Sequence, residues 1–129
     1  MPAQWSRVFP GLPEEVAHAR HFVASLLADR GPVEDAALVV SELATNAVRH
    51  TLSGSAGGRF FVVVCAGDDL VRIEVVDQGG DRVPHLCHAT GREEGGHGLR
   101  LIAAFAKNWG YTIRPDGRSV WAELVRASA

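Results

Sequence analysis

Two strongly patterned segments joined by a short turn constrain this fold more than any other feature. The first, RFFVVVCA at 59–66, is apolar almost throughout, as in a strand covered on one face and partly shielded on the other. The second, LVRIEVVD at 70–77, alternates, with Val71, Ile73 and Val75 on one side and charged residues on the other. Because the intervening GDD is a hairpin turn signal, the pattern predicts two antiparallel strands.

Helical patterns precede this hairpin, and a second hairpin follows it. An apolar stripe after Pro13, which suits a first helical position, predicts a helix that DRGP ends. A second helix is predicted from about Val33 to Thr51, followed by a loop at 52–58. QWSRVF predicts an initial strand, LRLIAAFAKNW a short helix, and WGYTIR with SVWAELVR a closing hairpin. This order predicts an α+β fold, with a mixed, mostly antiparallel sheet and helices on one face.

Length and composition limit the class of protein. A chain of 129 residues predicts one domain, 1–129, and 47% hydrophobic with 22% charged residues fits a globular protein. The net charge of -2 gives no overall basic field for nucleic acid. We expect a cytoplasmic protein, because the sequence has no apolar run of roughly 20 residues for a membrane and no signal-peptide pattern. Cys65 and Cys87 make no disulfide framework.

The second predicted helix carries polar side chains in register within an apolar sequence, SELATNAVRH. Glu42, Asn46 and Arg49 recur at i, i+4 and i+7, which places them on one helix face. A solvated face explains such a stripe by itself. The functional interpretation is a metal and phosphate site, in which the Asn46 amide oxygen suits Mg²⁺ and the Glu42 carboxylate orients or deprotonates a nucleophile. Arg49 would neutralise phosphate charge, and His50 extends the same helix end.

A carboxylate ends the inward row of the second strand. Asp77 has the parity of Val75, and VVDQGG follows the apolar alternation. One interpretation is a turn in which Asp77 caps the chain and glycines supply positive φ. The other is a binding site, because a buried carboxylate needs hydrogen-bond donors and an adenine exocyclic amine is one. Gly79 would then let the base approach the backbone.

A long irregular segment, 78–98, leads into the third predicted helix. Connections of this length are uncommon in compact domains and are often lids or binding loops. Its end, EEGGHGLRLI, places glycines before a helix, where backbone N–H groups bind phosphate. It is not a P-loop, since no Gly-Lys-Ser/Thr follows.

An E-x-x-x-N helix, a strand ending in Asp-x-Gly and a Gly-x-Gly-Leu helix start, in this order, resemble the GHKL (Bergerat-fold) ATPases. SELATNAVRH and GGHGLRLI are most similar to the stand-alone anti-sigma factor serine/threonine kinases, and the likeness extends roughly from Trp5 to Arg126. The resemblance implies a Bergerat-type two-layer sandwich with an ATP lid at about 80–95, and ATP and Mg²⁺ as cofactors.

The resemblance also implies residue roles. Asn46 matches the Mg²⁺ ligand, Glu42 the proposed general base and Asp77 the adenine-binding aspartate. Asp81 stands where the family motif has a glycine. The residues implied to bind nucleotide are Asn46, Arg49, His50, Asp77, Gly79, Gly96, His97, Gly98, Leu99 and Arg100.

The resemblance implies protein partners, namely a sigma factor and a STAS-type anti-anti-sigma protein that the kinase phosphorylates, with no direct contact to nucleic acid or membrane. Because similar kinases are commonly homodimers, it also implies a possible homodimer. One alternative is a catalytically inactive, ATP-dependent switch that sequesters a protein partner. Another is a zinc site formed by His85, Cys87 and His88 with His97, although structural zinc sites usually present spaced ligand pairs.

Overall fold

Five antiparallel strands carry the fold in the computed structural model, which describes residues 3–29, 31–79 and 102–126. The elements are β1 (Ala3–Pro10), α1 (Glu15–Leu26), α2 (Val33–His50), the 3₁₀ turn η1 (Leu52–Gly54), β2 (Arg59–Ala66), β3 (Leu70–Asp77), β4 (Asn108–Arg114) and β5 (Gly117–Val125). The sheet order is β1-β2-β3-β5-β4, and each neighbouring pair is antiparallel. The predicted α+β class, a mostly antiparallel sheet in a two-layer sandwich, is confirmed.

Element boundaries follow the predicted pattern closely, with differences at three points. Helix α1 begins at Glu15, because Pro13 belongs to the turn before it and is not the first helical position. Helix α2 ends at His50, and the predicted loop after it begins with the helical turn η1. Residues 102–105 are helical, but the predicted third helix extends to Trp109, which is wrong because Asn108 and Trp109 begin β4.

Apolar spacing in α2 produces the contact between helices and sheet. Its buried residues recur three and four positions apart, so they form one stripe; they are Ala36, Val39, Val40, Leu43, Ala44 and Ala47. The opposing sheet surface consists of the buried residues of β2 and β3, among them Phe60, Val62, Val64, Val71, Ile73 and Val75. Each fully buried side chain of this size contributes about 1.5–3 kcal/mol, so this interface is the main stabilising contact between the layers.

Strand β5 continues the inner face of the sheet beside β3. Val120, Ala122 and Leu124 are buried in the core, and Arg118 precedes them in the same alternating row. On the opposite face the Arg72 guanidinium lies 4.2 Å from the centre of the Trp121 ring. The core-facing surface of the sheet therefore ends in charged residues where β3 ends and β5 begins.

None of the helices that the structure describes has the length and apolarity needed to cross a membrane.

Candidate functional site

Hydrogen bonds through η1 join the end of α2 to the end of β3. The Thr51 hydroxyl donates to the Ala47 carbonyl at 2.7 Å and accepts from the Ser53 N–H at 3.0 Å, which turns the chain after the helix. The Leu52 N–H then donates to the Gly79 carbonyl at 2.7 Å. This junction brings the helix of the polar stripe and the strand of the inward carboxylate to the same place.

A second set of bonds holds the turn after β3. The hydroxyl oxygen of Ser53, a fully buried residue, accepts from the Gln78 N–H at 2.9 Å. The Gln78 side-chain oxygen accepts from the Arg59 N–H at 2.8 Å, at the start of β2. The backbone between Asp77 and Gly79 is thus fixed from η1 and from β2.

Gly79 has a conformation that the turn requires. Its φ is +74°, in the left-handed region of backbone conformation that residues other than glycine rarely adopt. A Cβ at this position would also lie 3.2 Å from the Gly117 Cα, at the start of β5. Glycine at 79 therefore permits both the turn and the close approach of the β4–β5 hairpin.

Asp77 is buried and forms an ion pair with Arg118. The two residues lie opposite each other on β3 and β5, and their side chains are 2% and 6% exposed. The Arg118 Nε donates to Asp77 Oδ2 at 2.9 Å, and the Gly79 N–H donates to Oδ1 at 2.7 Å. An ionised carboxylate has about four acceptor positions, so these two bonds leave acceptor capacity for a ligand donor.

Burial and charge act in opposite directions on Asp77. Loss of solvent raises the pKa of the Asp77 carboxyl above its usual range, while the hydrogen bond and charge of Arg118, and the Gly79 N–H, oppose that rise. Arg118 is therefore the cation that favours the ionised form of Asp77.

A cavity of about 150 Å³ lies beside this turn. It is lined by Gln78, Gly79, Ile113, Arg114, Pro115, Gly117 and Arg118. Sites for drug-sized ligands measure roughly 300–1,000 Å³, so this cavity suits one portion of a ligand, such as a planar base.

A larger cavity, of about 420 Å³, lies between β1 and α1. It is lined by Arg7, His18, His21, Phe22 and Ser25. We do not assign the ligand site to it, because it lies away from the junction of α2 and β3 and its histidines are exposed.

The polar stripe of α2 lies on the helix that ends at the junction. Glu42 and Asn46 are half-buried, one helical turn apart, and neither side chain forms a hydrogen bond or ion pair within the described ranges. Arg49 is exposed and His50 half-buried in the last turn, and both make contacts. A carboxylate and an amide without described partners thus lie one helical turn apart on this helix.

Residues 9–124 match the family model described as histidine kinase-like ATPase domain. The chain belongs to this family. Membership confirms the resemblance to GHKL-type ATPases and supports ATP binding, whereas the assignment to the anti-sigma kinases stays a prediction. None of the curated proteins with which we compared the chain matches it.

Part of the predicted site of this ATPase domain lies outside the described residues. The lid at 80–95, with Asp81 and the alternative zinc ligands His85, Cys87 and His88, lies there. The second glycine box lies there too, with Gly96, His97, Gly98, Leu99 and Arg100. Within residues 3–29, 31–79 and 102–126, no group of three His, Cys, Asp or Glu residues is placed to hold a metal ion.

Sequence reasoning missed two residues of the described site in this ATPase domain, Arg118 and Ser53. A signal for Arg118 was present, since GRSVWAEL alternates and gives Arg118 the parity of Val120 and Ala122. The parity argument used for Asp77 therefore also points to Arg118. Ser53 had no comparable signal, because its buried position depends on contacts with distant parts of the chain.

Proposed function

We propose that this histidine kinase-like ATPase domain binds Mg²⁺ and ATP and is an anti-sigma factor serine/threonine kinase that phosphorylates a STAS-type anti-anti-sigma partner. The observation that carries the proposal is the junction between α2 and β3, where the Leu52 N–H meets the Gly79 carbonyl. It joins the helix of Glu42 and Asn46 to the strand that ends at Asp77.

The described side chains fit the chemistry of these ligands. The Asn46 amide oxygen is a donor atom that Mg²⁺ accepts, and no described residue competes for it. Asp77 retains acceptor capacity for an exocyclic amine beside a cavity that suits a base. When bound, the metal ion would neutralise charge on the phosphates.

The proposed step transfers the γ-phosphoryl group of ATP to a serine hydroxyl of the partner. The Glu42 carboxylate accepts the hydroxyl proton while the serine oxygen forms a bond to the γ-phosphorus. The bond from that phosphorus to the β–γ bridging oxygen breaks, and ADP leaves with the bonding electrons. Such a step depends on positioning and charge stabilisation, which a base and a metal ligand one turn apart on a rigid helix support.

Replacement of Glu42 separates a kinase from a binding switch. We expect Glu42→Ala to abolish phosphate transfer to a purified STAS protein while ATP affinity changes little, because Glu42 is assigned to the hydroxyl and not to the nucleotide. Transfer would be followed with γ-labelled ATP, and affinity by calorimetry.

Glu34→Ala is the matched control, since Glu34 is an exposed carboxylate in the first turn of the same helix. Undiminished transfer by Glu42→Ala would refute its role as base. Nucleotide-dependent capture of the partner with no transfer by the wild-type protein would favour the switch.

The proposal extends to partners and location. The sigma factor would be held in one nucleotide state and released in another. A cytoplasmic location, where the protein would meet these partners, belongs to the same proposal. A homodimer, as in similar kinases, belongs to the same proposal.

A further inference from the structure

We propose that Arg118 is a positioning residue of the nucleotide site, which keeps Asp77 ionised and aimed to accept a hydrogen bond from the exocyclic amine of a purine. This inference rests on the proposed binding of ATP and deepens it. It assigns a role to a side chain on the last strand, outside the motifs by which the family resemblance was recognised.

The geometry gives Arg118 control over one oxygen of the carboxylate. Its Nε lies 2.9 Å from Asp77 Oδ2, and the Gly79 N–H holds the other oxygen at 2.7 Å. One donor lies on β5 and the other in the turn after β3, so together they leave the carboxylate little rotational freedom. A Cβ at Gly79 would lie 3.2 Å from the Gly117 Cα, so the turn and the hairpin that carry this pair are closely packed.

Arg118 also lies beside the cavity next to the turn. Arg118 lines the cavity of about 150 Å³ together with Gln78 and Gly79. The cation that binds Asp77 is therefore itself part of the cavity wall. Buried pairs also contribute little net stability compared with apolar residues of similar size, which favours a functional reason for this one.

The charge of Arg118 determines the pH range in which Asp77 can act as an acceptor. Burial alone raises the pKa of Asp77, and Arg118 opposes that rise. Adenine binding needs the ionised form, so affinity should fall as pH falls through the pKa of Asp77. Without the cation that pKa lies higher, so binding should be lost at a higher pH.

Other charged groups of the described chain lie near the turn and are the same in every variant compared. Arg114 on β4 lines the same cavity as Arg118 and pairs with Glu74 at 3.8 Å. The inner row of β2 is apolar, η1 contributes the uncharged Ser53, and α2 ends in Arg49 and His50. His50 is present in every variant compared, so its contribution is common to all of them.

The test is calorimetric titration of ATP with Mg²⁺ between about pH 5 and 8, for the wild type, Arg118→Met and Arg118→Lys. We expect Arg118→Met to move the midpoint of the affinity loss upward by about 1–3 pH units, the range for an opposite charge beside a carboxylate. Lysine keeps the charge, so Arg118→Lys should restore most of the wild-type midpoint. Thermal unfolding of each variant verifies that the protein is folded.

Arg72→Met is the matched control, because Arg72 lies on β3 with its charge on the opposite face of the sheet, 3.7 Å from Glu123. It should leave the midpoint unchanged. If Arg118→Met and the wild type lose ATP affinity at the same pH midpoint, the role of Arg118 is overturned, while the proposed binding of ATP stands. Failure of the wild type to bind ATP at any pH would overturn the proposed function, and the role of Arg118 with it.

Discussion

Among single side chains, Asp77 combines features that rarely occur together in an ordinary turn residue. Its side chain is 2% exposed, its two oxygens accept bonds from Arg118 and Gly79, and it ends a row of core residues. An aspartate that only capped a turn would not need a buried cation. The cost of burying both charges is consistent with a site at which a ligand donor completes the carboxylate's hydrogen bonds.

Asp77→Asn is expected to weaken ATP binding by about 10–100-fold, since a hydrogen bond to a charged group contributes roughly 1.5–3 kcal/mol. Asparagine has nearly the same shape but only one acceptor oxygen, so it keeps one of the two bonds from Arg118 and Gly79 and loses the other. The protein should remain folded with a lower free energy of unfolding. Calorimetry measures the affinity, and circular dichroism checks the fold.

Asp68→Asn, in the exposed turn at the opposite end of β3, should bind ATP like the wild type. Equal affinities for Asp77→Asn and the wild type would exclude Asp77 from the site.

The inward position of Asp77 was predictable, whereas its partner was not predicted. Alternation along β3 is local and can be counted from the sequence. The pairing of Asp77 with Arg118 depends on the register between strands that are 41 positions apart in the chain, which no local pattern specifies. Parity narrows the candidates on β5, but the distance of 2.9 Å comes only from the assembled sheet.

Among secondary-structure elements, the connection from α2 through η1 to β3 positions the candidate site. The bounds of β2 and β3 agree with the prediction, because alternation and turn signals are strong there. The turn η1 was predicted only as a loop. Its short segment is held by bonds to Gly79 and Gln78, which are long-range contacts and therefore absent from local sequence patterns.

Two glycines with similar φ angles test whether close packing around Gly79 holds the connection from α2 to β3 in place. Gly79 and Gly57 have φ values of +74° and +77°, but a Cβ at Gly79 would lie 3.2 Å from Gly117, whereas one at Gly57 would meet no described atom within 4 Å. Gly57→Ala should cost about 1–2 kcal/mol of unfolding free energy, for the backbone conformation alone. Gly79→Ala should cost more, because the hairpin must also move.

Urea unfolding of the two variants and the wild type gives both free energies. Gly79→Ala should also weaken ATP binding, which Gly57→Ala should leave unchanged. Equal stability losses and equal affinities would show that the turn adjusts easily and does not position Asp77.

For the protein as a whole, the family and the fold follow from patterns spread over the chain, while the assembled site depends on how those patterns meet. The order of the E-x-x-x-N helix, Asp-x-Gly turn and glycine-rich helix start identified the superfamily, and the family match at 9–124 agrees. The described part of the molecule joins the first two motifs through η1. The proposed ATP site requires that both motifs contact one ligand.

Titration of ATP and Mg²⁺ into isotope-labelled protein, followed by NMR, tests whether the two motifs form one site. The side-chain amide of Asn46 and the backbone amide of Gly79 should shift together and saturate at the same ATP concentration. The amides of Phe22 and Ser25, at the larger cavity between β1 and α1, should stay in place. Shifts at that cavity with none at Gly79, or saturation of Asn46 and Gly79 at different concentrations, would contradict a single ATP site at the junction of α2 and β3.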